Sequence, residues 1–317
     1  MPDEGAAGAA SSAPAGGGAI DVVLATRNRA RGAERAARAI LAAPYPSFSL
    51  VVVDQSDDAS TREALREVAS DPRVSVIAAP PRGLAAARNL GLAGTAAPIV
   101  AFTDDDCAPA PGWLEAIADA FAGDASVGVV FGSVVAADYD RGAGFTPAYR
   151  VDRPHTARTL ARKPSVEGIG ACMAIRRSTW KALGGFDERL GAGSALRAGE
   201  DTDFAVRALL AGAGVHETPA ASVTHSGFRA WDEGRATIEG YMIGLGAVHA
   251  KMLRLAGPAA LRPIAALAWR WIALGPVVDL NHRPPRTLRL AAFLRGAWIG
   301  WRAPLDREHG HFAAPRR

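Results

Sequence analysis

Residues 99–107 read IVAFTDDDC, an apolar run rich in β-branched residues that ends in three aspartates. A short apolar run bounded by polar residues predicts a strand buried on both faces. Three adjacent carboxylates repel one another, which is costly unless a hard cation or several hydrogen-bond donors neutralise them. The stretch therefore predicts a buried sheet with a charged site at its edge, although a solvated acidic turn is the alternative.

Upstream of this stretch, apolar runs alternate with helical patterns. The predicted strands cover residues 20–25, 50–53 and 74–77, and the predicted helices cover residues 31–42, 60–69 and 84–92. Strands that alternate with helices indicate an α/β fold with a mostly parallel sheet covered by helices. In such sheets ligands bind at the carboxyl ends of the strands.

Polar side chains at three predicted strand ends are therefore the first candidates for chemistry. They are Thr26, Arg27 and Asn28 after the first strand, Asp54 after the second, and Asp104, Asp105 and Asp106 after the fourth. Neither a P-loop nor a GxGxxG sequence follows the first strand, so a different kind of nucleotide pocket is predicted. Mg²⁺ or Mn²⁺ would be held there by one or two carboxylates together with phosphate oxygens.

A second group of carboxylates follows the glycine-rich residues 191–199. Glu200, Asp201 and Asp203 open a predicted helix, in which Asp203 and Arg207 form a favourable i, i+4 pair. The favourable interaction of acidic residues with the helix dipole is one explanation for these charges, without a functional role. A mobile loop that leads to a fixed carboxylate also suits a general base beside an acceptor-binding lid.

Two single residues carry weaker signals. His225 follows a strand-like segment and is either structural or, if the fold brings it beside the aspartates, a third metal ligand. Arg88 lies in an alanine-rich helical stretch after Gly83 and could reach a diphosphate. Alanine-rich helices that carry an arginine are also common without such a role.

Taken in order, these pieces resemble glycosyltransferase family 2, whose members use nucleotide sugars and have the GT-A fold. The matching stretches are the opening strand with Thr26, Asn28 and Arg29, VVVD at 51–54, GLAAARNLG at 83–91, FTDDDC at 102–107, GGFDE at 184–188, and GEDTDF at 199–204 with Arg207. The resemblance covers residues 19–230. It departs from the family pattern at residues 54–57, which read DQSD where DDGS or DNxS is common, so the donor base is left open.

The resemblance implies an inverting sugar transfer from a nucleoside-diphosphate sugar, with a UDP-sugar expected first, to a hydroxyl of a glycan or lipid-linked acceptor. The implied cofactor is Mn²⁺ or Mg²⁺. The implied donor-binding residues are Thr26, Asn28, Arg29, Asp54, Gly83, Arg88, Asp104 and Asp105; the metal residues are Asp106, Asp104 and His225; Asp201 is the catalytic base supported by Glu200; and Asp187 lies near the acceptor.

Two other functions remain open from the sequence. A sugar-nucleotide nucleotidyltransferase would also use a nucleotide-binding sheet and paired aspartates, but a glycine-rich loop directly after its first strand is expected and is absent here. A non-catalytic nucleotide-sugar-binding module would bind the donor without turnover. Nucleic acid is not an expected partner, because neither an aromatic-rich strand motif nor a zinc module is present.

Charge divides unevenly along the chain, with a net charge of −3 over residues 1–230 and +7 over residues 231–317. Residues 231–305 are predicted to form two or three amphipathic helices in which arginines alternate with tryptophans. This composition suits peripheral attachment to an anionic membrane. A helical subdomain packed on the catalytic domain, with its arginines in solvent, is an equal alternative.

These patterns divide the chain into a disordered tail at residues 1–18, a GT-A catalytic domain at 19–230, an amphipathic helical extension at 231–305 and a tail at 306–317. No signal-peptide pattern and no uncharged stretch of about 20 residues is present. Cys107 and Cys172 are far apart in sequence and form no CxxC pair. The expected location is the cytoplasm, with the cytoplasmic face of the membrane as a second possibility.

Overall fold

The computed structural model describes residues 18–274, 285–306 and 308–313, without the side chains of residues 271 and 274. The strands are β1 Ile20–Thr26, β2 Phe48–Asp54, β3 Val74–Ala78, β4 Ile99–Asp104, β5 Cys107–Pro109, β6 Val127–Ala136, β7 Gly144–Phe145, β8 His155–Ala157, β9 Met173–Arg176, β10 Gly214–His225 and β11 Arg229–Ala230. The α-helices are α1 Ala30–Leu41, α2 Ser60–Ala64, α3 Leu84–Ala93, α4 Trp113–Gly123, α5 Arg177–Ala182, α6 Glu200–Leu210, α7 Trp231–Ala256, α8 Leu261–Trp269 and α9 Arg286–Arg302. The predicted tail at 1–18 lies, apart from Gly18, outside the described residues.

One mixed sheet organises the described part of the chain. Its strand order is β3-β2-β1-β4-β9-β6-β10-β5, with β8 paired to β10. Strands β3, β2, β1 and β4 run parallel, and β9 lies antiparallel between β4 and β6. Helices α1 and α4 pack on one face, and α3 and α6 pack on the other. The predicted α/β fold with a mixed, mostly parallel sheet is confirmed.

The register of this sheet brings the candidate site residues together. Thr26 pairs with Asp54 across β1 and β2, and Ala25 pairs with Asp104 across β1 and β4. Because the three strands are parallel, their carboxyl ends meet at one edge of the sheet. The polar residues that follow them therefore lie close together, as predicted.

Residues 170–175 read GACMAI, an apolar run that predicts one continuous strand, but the structure divides them between two elements. The first three residues, Gly170–Cys172, form a 3₁₀ turn, and β9 begins only at Met173. The amide of Gly170 donates to Asp201 and its carbonyl accepts from Arg88, so its backbone groups are used outside the sheet ladder. The side chains of Asp201 and Arg88, which are distant in sequence, thus satisfy the backbone of Gly170 in place of a neighbouring strand. A local sequence pattern does not reveal such partners.

The C-terminal quarter packs on the sheet domain through α7. Lys251 of α7 is buried and donates to Asp187 and to Asp203 of α6, at 2.6 and 2.7 Å. Phe312 is also buried, and its amide donates to Asp187. Phe312, within the predicted 306–317 tail, is therefore anchored to the sheet domain. None of the helices within the described ranges combines the length and apolarity needed to cross a bilayer.

Candidate active site

A cavity of about 460 Å³ opens at the carboxyl ends of β1 and β4. Its lining includes Thr26, Arg29, Gly83, Arg88, Asp104, Asp105, Asp106, Glu200, Asp201 and His225. These residues come from distant parts of the sequence and were all predicted as site residues. The cavity has two acidic walls, the aspartate wall at Asp104–Asp106 and the helix-start wall at Glu200–Asp201.

On the aspartate wall, both carboxylate oxygens of Asp105 accept hydrogen bonds from other side chains. The Thr26 hydroxyl donates to one oxygen of Asp105 at 2.7 Å, and Arg29 donates to the other at 2.9 Å. Burial raises the pKa of Asp105, and the Arg29 charge opposes that rise. Asp105 therefore ties the end of β1 and the start of α1 to the aspartate turn, and Arg29 also reaches Asp106 at 2.7 Å.

Asp106 and His225 form the part of this wall that suits a cation. The His225 Nε2 lies 3.1 Å from Asp106 Oδ1, while the Nδ1 side is hydrogen-bonded to the Pro147 carbonyl at 2.7 Å. A carbonyl partner at Nδ1 fixes that nitrogen as the donor and leaves Nε2 available as a ligand. Burial raises the pKa of Asp106, but when His225 is also protonated at Nε2, its hydrogen bond to Asp106 and the Arg29 charge outweigh burial and hold that pKa well below its usual range.

Gly227 leaves a small space beside these two groups. A Cβ added there would lie 2.4 Å from Asp106 Oδ2 and 2.6 Å from His225 Nε2. A carboxylate and an imidazole facing one space are donors that Mn²⁺ and Mg²⁺ accept, so these residues fit a divalent cation. Cys107 lies near both groups, but burial raises the pKa of its thiol, so it stays protonated and is a poor ligand for a hard cation.

The helix-start wall is fixed by the local fold. Gly199 has φ of +91°, which permits the sharp entry into α6, and the first turn then presents both carboxylates to the cavity. Asp201 accepts from the Gly170 amide at 2.8 Å and from the Thr202 amide at 2.5 Å. Glu200 is buried, and its burial together with the neighbouring Asp201 charge raises its pKa to about 7.

Arg88 lies beneath both walls rather than free in the cavity. Its guanidinium is 2% exposed and donates to Glu200 at 3.0 Å, to the Gly170 carbonyl at 3.0 Å and to Asp104 at 3.4 Å. The rings of Phe102 and Phe186 lie close to it, at 5.6 and 5.8 Å from the ring centroids. Arg88 therefore holds the two acidic walls in place, and its predicted contact with the donor diphosphate stays a prediction.

Three predicted residues do not line the cavity. Asn28 is bound through its side chain to Asp57, and Asp54 is buried where it accepts from the Ser56 amide. Asp187, predicted near the acceptor, is 1% exposed and held by Lys251, Phe312 and Arg189. Because its carboxylate is fully used inside the protein, the structure gives Asp187 no access to an acceptor.

The cavity residues that were not predicted from the sequence include Tyr241, Arg229 and Arg197. Tyr241 of α7 lines the same cavity, and burial raises its pKa to about 12 although Arg229 opposes the rise. Arg229 lies 3.7 Å from Asp106. Arg197 lines the cavity with φ of +62°, which is uncommon for a residue other than glycine. In the sequence, Tyr241 is one member of an apolar helical stripe, so no local signal separated it from the core residues.

The comparisons with known proteins agree with this geometry. Residues 21–183 match the model of the family described as "Glycosyl transferase family 2". Half of the chain is covered by this match, and the chain belongs to glycosyltransferase family 2. The family prediction is therefore confirmed.

Two curated relatives carry glycosyltransferase names. The pre-mycofactocin glycosyltransferase of Mycobacterium tuberculosis is 29% identical over 274 residues, which are 81% of this chain and 53% of the relative. Glycosyltransferase AglE of Haloferax volcanii is 27% identical over 167 residues, which are 48% of this chain and 55% of the relative. The chain spans about half the length of the curated relatives that it matches.

Solved structures support the GT-A fold. Mannosyltransferase PcManGT from Pyrobaculum calidifontis, in complex with GDP-Man and Mn²⁺, has a TM-score of 0.60 at 21% identity and covers 89% of this chain and 87% of its own. S. aureus TarS in complex with UDP-GlcNAc has a TM-score of 0.64 at 17% identity and covers 88% of this chain and 81% of its own. At these identities the likeness establishes the fold.

Proposed function

We propose that this chain transfers a sugar from a nucleoside-diphosphate sugar to an acceptor hydroxyl, with inversion at the anomeric carbon. The observation that carries the proposal is the meeting of two acidic walls with different electrostatics in one cavity. Asp106 is held ionised beside His225, whereas Glu200 has a pKa of about 7. Groups whose surroundings push their pKa values apart are suited to different roles in one reaction.

The donor would lie against the aspartate wall. We propose Asp106 and His225 as the residues that hold Mn²⁺ or Mg²⁺, with Asp104 beside the ribose or sugar. A bound divalent cation stabilises the negative charge that a diphosphate gains as it leaves. Arg229 and Arg29 border the same wall and add positive charge near the diphosphate. Thr26 and Gly83 remain candidates for donor contact, because both line the cavity.

Asp201 is the proposed general base. Two backbone amides already fix its carboxylate, and it lines the cavity with more exposure than Glu200. An acceptor hydroxyl is a poor nucleophile near neutral pH, so Asp201 would take its proton as the oxygen attacks the anomeric carbon. The carbon–oxygen bond to the diphosphate breaks on the opposite side, and one such displacement inverts the anomeric centre.

Glu200 and Tyr241 complete this side of the cavity. We propose that Glu200, fixed by Arg88, sets the position and local charge of Asp201 rather than contacting the acceptor itself. The Tyr241 hydroxyl, whose pKa is raised to about 12, is un-ionised near neutral pH and can donate a hydrogen bond to a substrate hydroxyl. The acceptor class we propose is a glycan or a lipid-linked saccharide.

A donor panel tests the proposal. Thermal unfolding would be measured with UDP-, GDP- and dTDP-sugars, each with Mn²⁺, with Mg²⁺ and with a chelator. One donor is expected to stabilise the protein in a cation-dependent way, by about 2.7 kcal/mol at a hundred times its dissociation constant. Slow hydrolysis of that donor separates an enzyme from a non-catalytic binding module. Stabilisation by no nucleotide sugar would contradict the proposal.

A further inference from the structure

Helix α9 has two apolar faces, and among the residues that the structure describes only one of them packs against another helix. The inner face lies directly on α7: Cβ atoms added to Gly246 and Gly296 would lie 2.0 Å from the carbonyl oxygens of Phe293 and Ile243. A Cβ added to Gly300 would lie 2.6 Å from the Ala247 carbonyl oxygen. Such contact requires glycine and leaves no space for a side chain or water between the helices. The α7–α9 pair is therefore a tight unit with its remaining face turned outward.

The outward face carries large apolar side chains at helical spacing. Leu288, Ala291, Leu294, Trp298 and Trp301 recur every three or four residues, so they form one stripe along α9. Leu294, Trp298 and Trp301 are 56%, 61% and 54% exposed. Trp269, near the end of α8, is 69% exposed. Exposed tryptophans and leucines in such a stripe indicate an interaction surface rather than scattered surface residues.

The charge on these helices indicates the partner. Neither α8 nor α9 contains an aspartate or glutamate, whereas Arg262, Arg295 and Arg302 are exposed on them. The Arg302 guanidinium lies over the Trp298 ring, 5.1 Å from its centroid, and Arg295 lies 3.9 Å from Glu239 of α7. Tryptophan beside arginine is the combination that stabilises a helix in the headgroup region of an anionic bilayer.

We propose that α8 and the outward stripe of α9 dock on the surface of a membrane that contains anionic lipids. The tryptophans and leucines would enter the headgroup and acyl boundary, and the arginines would contact lipid phosphates. The stripe needs no spanning segment for this, because an interfacial helix lies parallel to the membrane.

The position of α7 links this surface to the cavity. Tyr241 and Leu245 of α7 line the cavity, whereas Ile243 and Ala247 contact α9. Residues two apart on a helix point about 200° apart, so the cavity and α9 lie on opposite sides of α7. With helices packed 8–10 Å apart, docking would hold the cavity about 20 Å from the headgroups. This distance is compatible with an acceptor attached to a membrane lipid.

Vesicle co-sedimentation of the full chain tests the proposal. The vesicles would be phosphatidylcholine alone and phosphatidylcholine with phosphatidylglycerol. The triple variant Leu294→Ser, Trp298→Ser and Trp301→Ser should partition at least about tenfold less onto anionic vesicles. The matched control is Leu90→Ser with Leu210→Ser, which removes exposed apolar side chains elsewhere. Both variants should keep the unfolding temperature and the cation-dependent donor stabilisation of the unmodified chain.

A charge variant separates a lipid surface from a protein partner. Replacing Arg262, Arg295 and Arg302 with Gln should reduce binding to anionic vesicles about a hundredfold, at about fivefold per arginine, with a smaller effect at high salt. Replacing Arg66, Arg150 and Arg153 with Gln is the control. Equal pelleting of the stripe variant and the unmodified chain would overturn the proposal. The proposal would also be overturned if the unmodified chain stayed in the supernatant with anionic vesicles. Self-association through the stripe without pelleting would likewise overturn it.

Discussion

The two acidic walls of the cavity contain similar residues but differ in their electrostatics. On the aspartate wall, Asp106 is paired with His225 and with Arg29, so its pKa is held low. On the helix-start wall, Glu200 is buried beside Asp201, and one arginine beneath it does not prevent its pKa from rising to about 7. The first arrangement suits a permanent anion beside a cation. On the second wall, Glu200 changes its charge near neutral pH and so changes the electrostatic surroundings of Asp201, the proposed base.

The largest expected effect comes from the proposed base. Asp201→Asn should lower the transfer rate by about 10³- to 10⁴-fold, because the amide cannot accept the acceptor proton. Donor binding should remain, since the aspartate wall is unchanged. Steady-state transfer and donor-dependent thermal stabilisation would be measured together, with the exposed Asp152→Asn as the control. Substantial transfer by Asp201→Asn would exclude Asp201 as the base.

The next effect concerns the cation. Asp106→Asn should abolish the Mn²⁺-dependent part of donor stabilisation and lower transfer by about 10²- to 10³-fold, because an amide oxygen is a weaker ligand than a carboxylate. Cys107→Ser is the control and should keep cation dependence, since the buried thiol is not a proposed ligand. Unchanged Mn²⁺ dependence in Asp106→Asn would place the cation elsewhere.

The pKa of Glu200 predicts how stability depends on pH. Because this pKa is raised from 4.5 to about 7, the folded protein keeps a proton that the unfolded chain releases at lower pH. Its contribution to stability is therefore full below about pH 4.5 and is lost as pH rises through about 7, by about 3 kcal/mol in total. The free energy of unfolding of Glu200→Gln should fall less over this window than that of the unmodified chain.

Urea unfolding of the two chains at a series of pH values from about 4.5 to 8 measures this difference. Comparing their slopes cancels the contributions of His225 and the other titrating groups that both chains share. The exposed Glu233→Gln is the control and should follow the unmodified chain. Identical slopes for Glu200→Gln and the unmodified chain would show that Glu200 is ionised throughout and that the two walls do not differ as described.

The smallest expected effect is at Tyr241. Tyr241→Phe removes one hydroxyl and should lower the kcat/KM of transfer about fivefold, the worth of a typical hydrogen bond. Donor stabilisation should not change if the hydroxyl serves the acceptor side. A loss of donor binding with unchanged kcat would instead assign Tyr241 to the aspartate wall.

Local patterns predicted much of the fold. Apolar runs ending in polar residues identified β1, β2 and β4, and the strand ends identified Thr26 and the aspartates. These features depend on periodicity and on residues near one another in sequence, so they can be read without the structure. The position of the antiparallel strand could not be derived in this way, because β9 is only four residues long and its pairing with β4 and β6 is non-local.

The roles of individual charged residues were less predictable. Arg88 was expected at a diphosphate, but the structure places it among Glu200, Asp104 and the Gly170 carbonyl. Asp187 matched a family motif, yet Lys251 and Phe312 occupy its carboxylate. All five of these partners lie more than fifteen residues away in sequence from Arg88 or Asp187, and all except Asp104 lie more than sixty residues away. No spacing rule along the chain identifies such partners.

The sequence by itself determined the family, the α/β class and the carboxylate-bearing segments, because these are written in local composition and order. Only the tertiary structure decided which carboxylate has a lowered pKa, which has a raised pKa, and that α7 forms part of the cavity. A pKa depends on burial and on the charges that surround a group in three dimensions. The net charge of +4 therefore conceals two acidic walls with opposite tendencies and a basic helical surface that faces away from them.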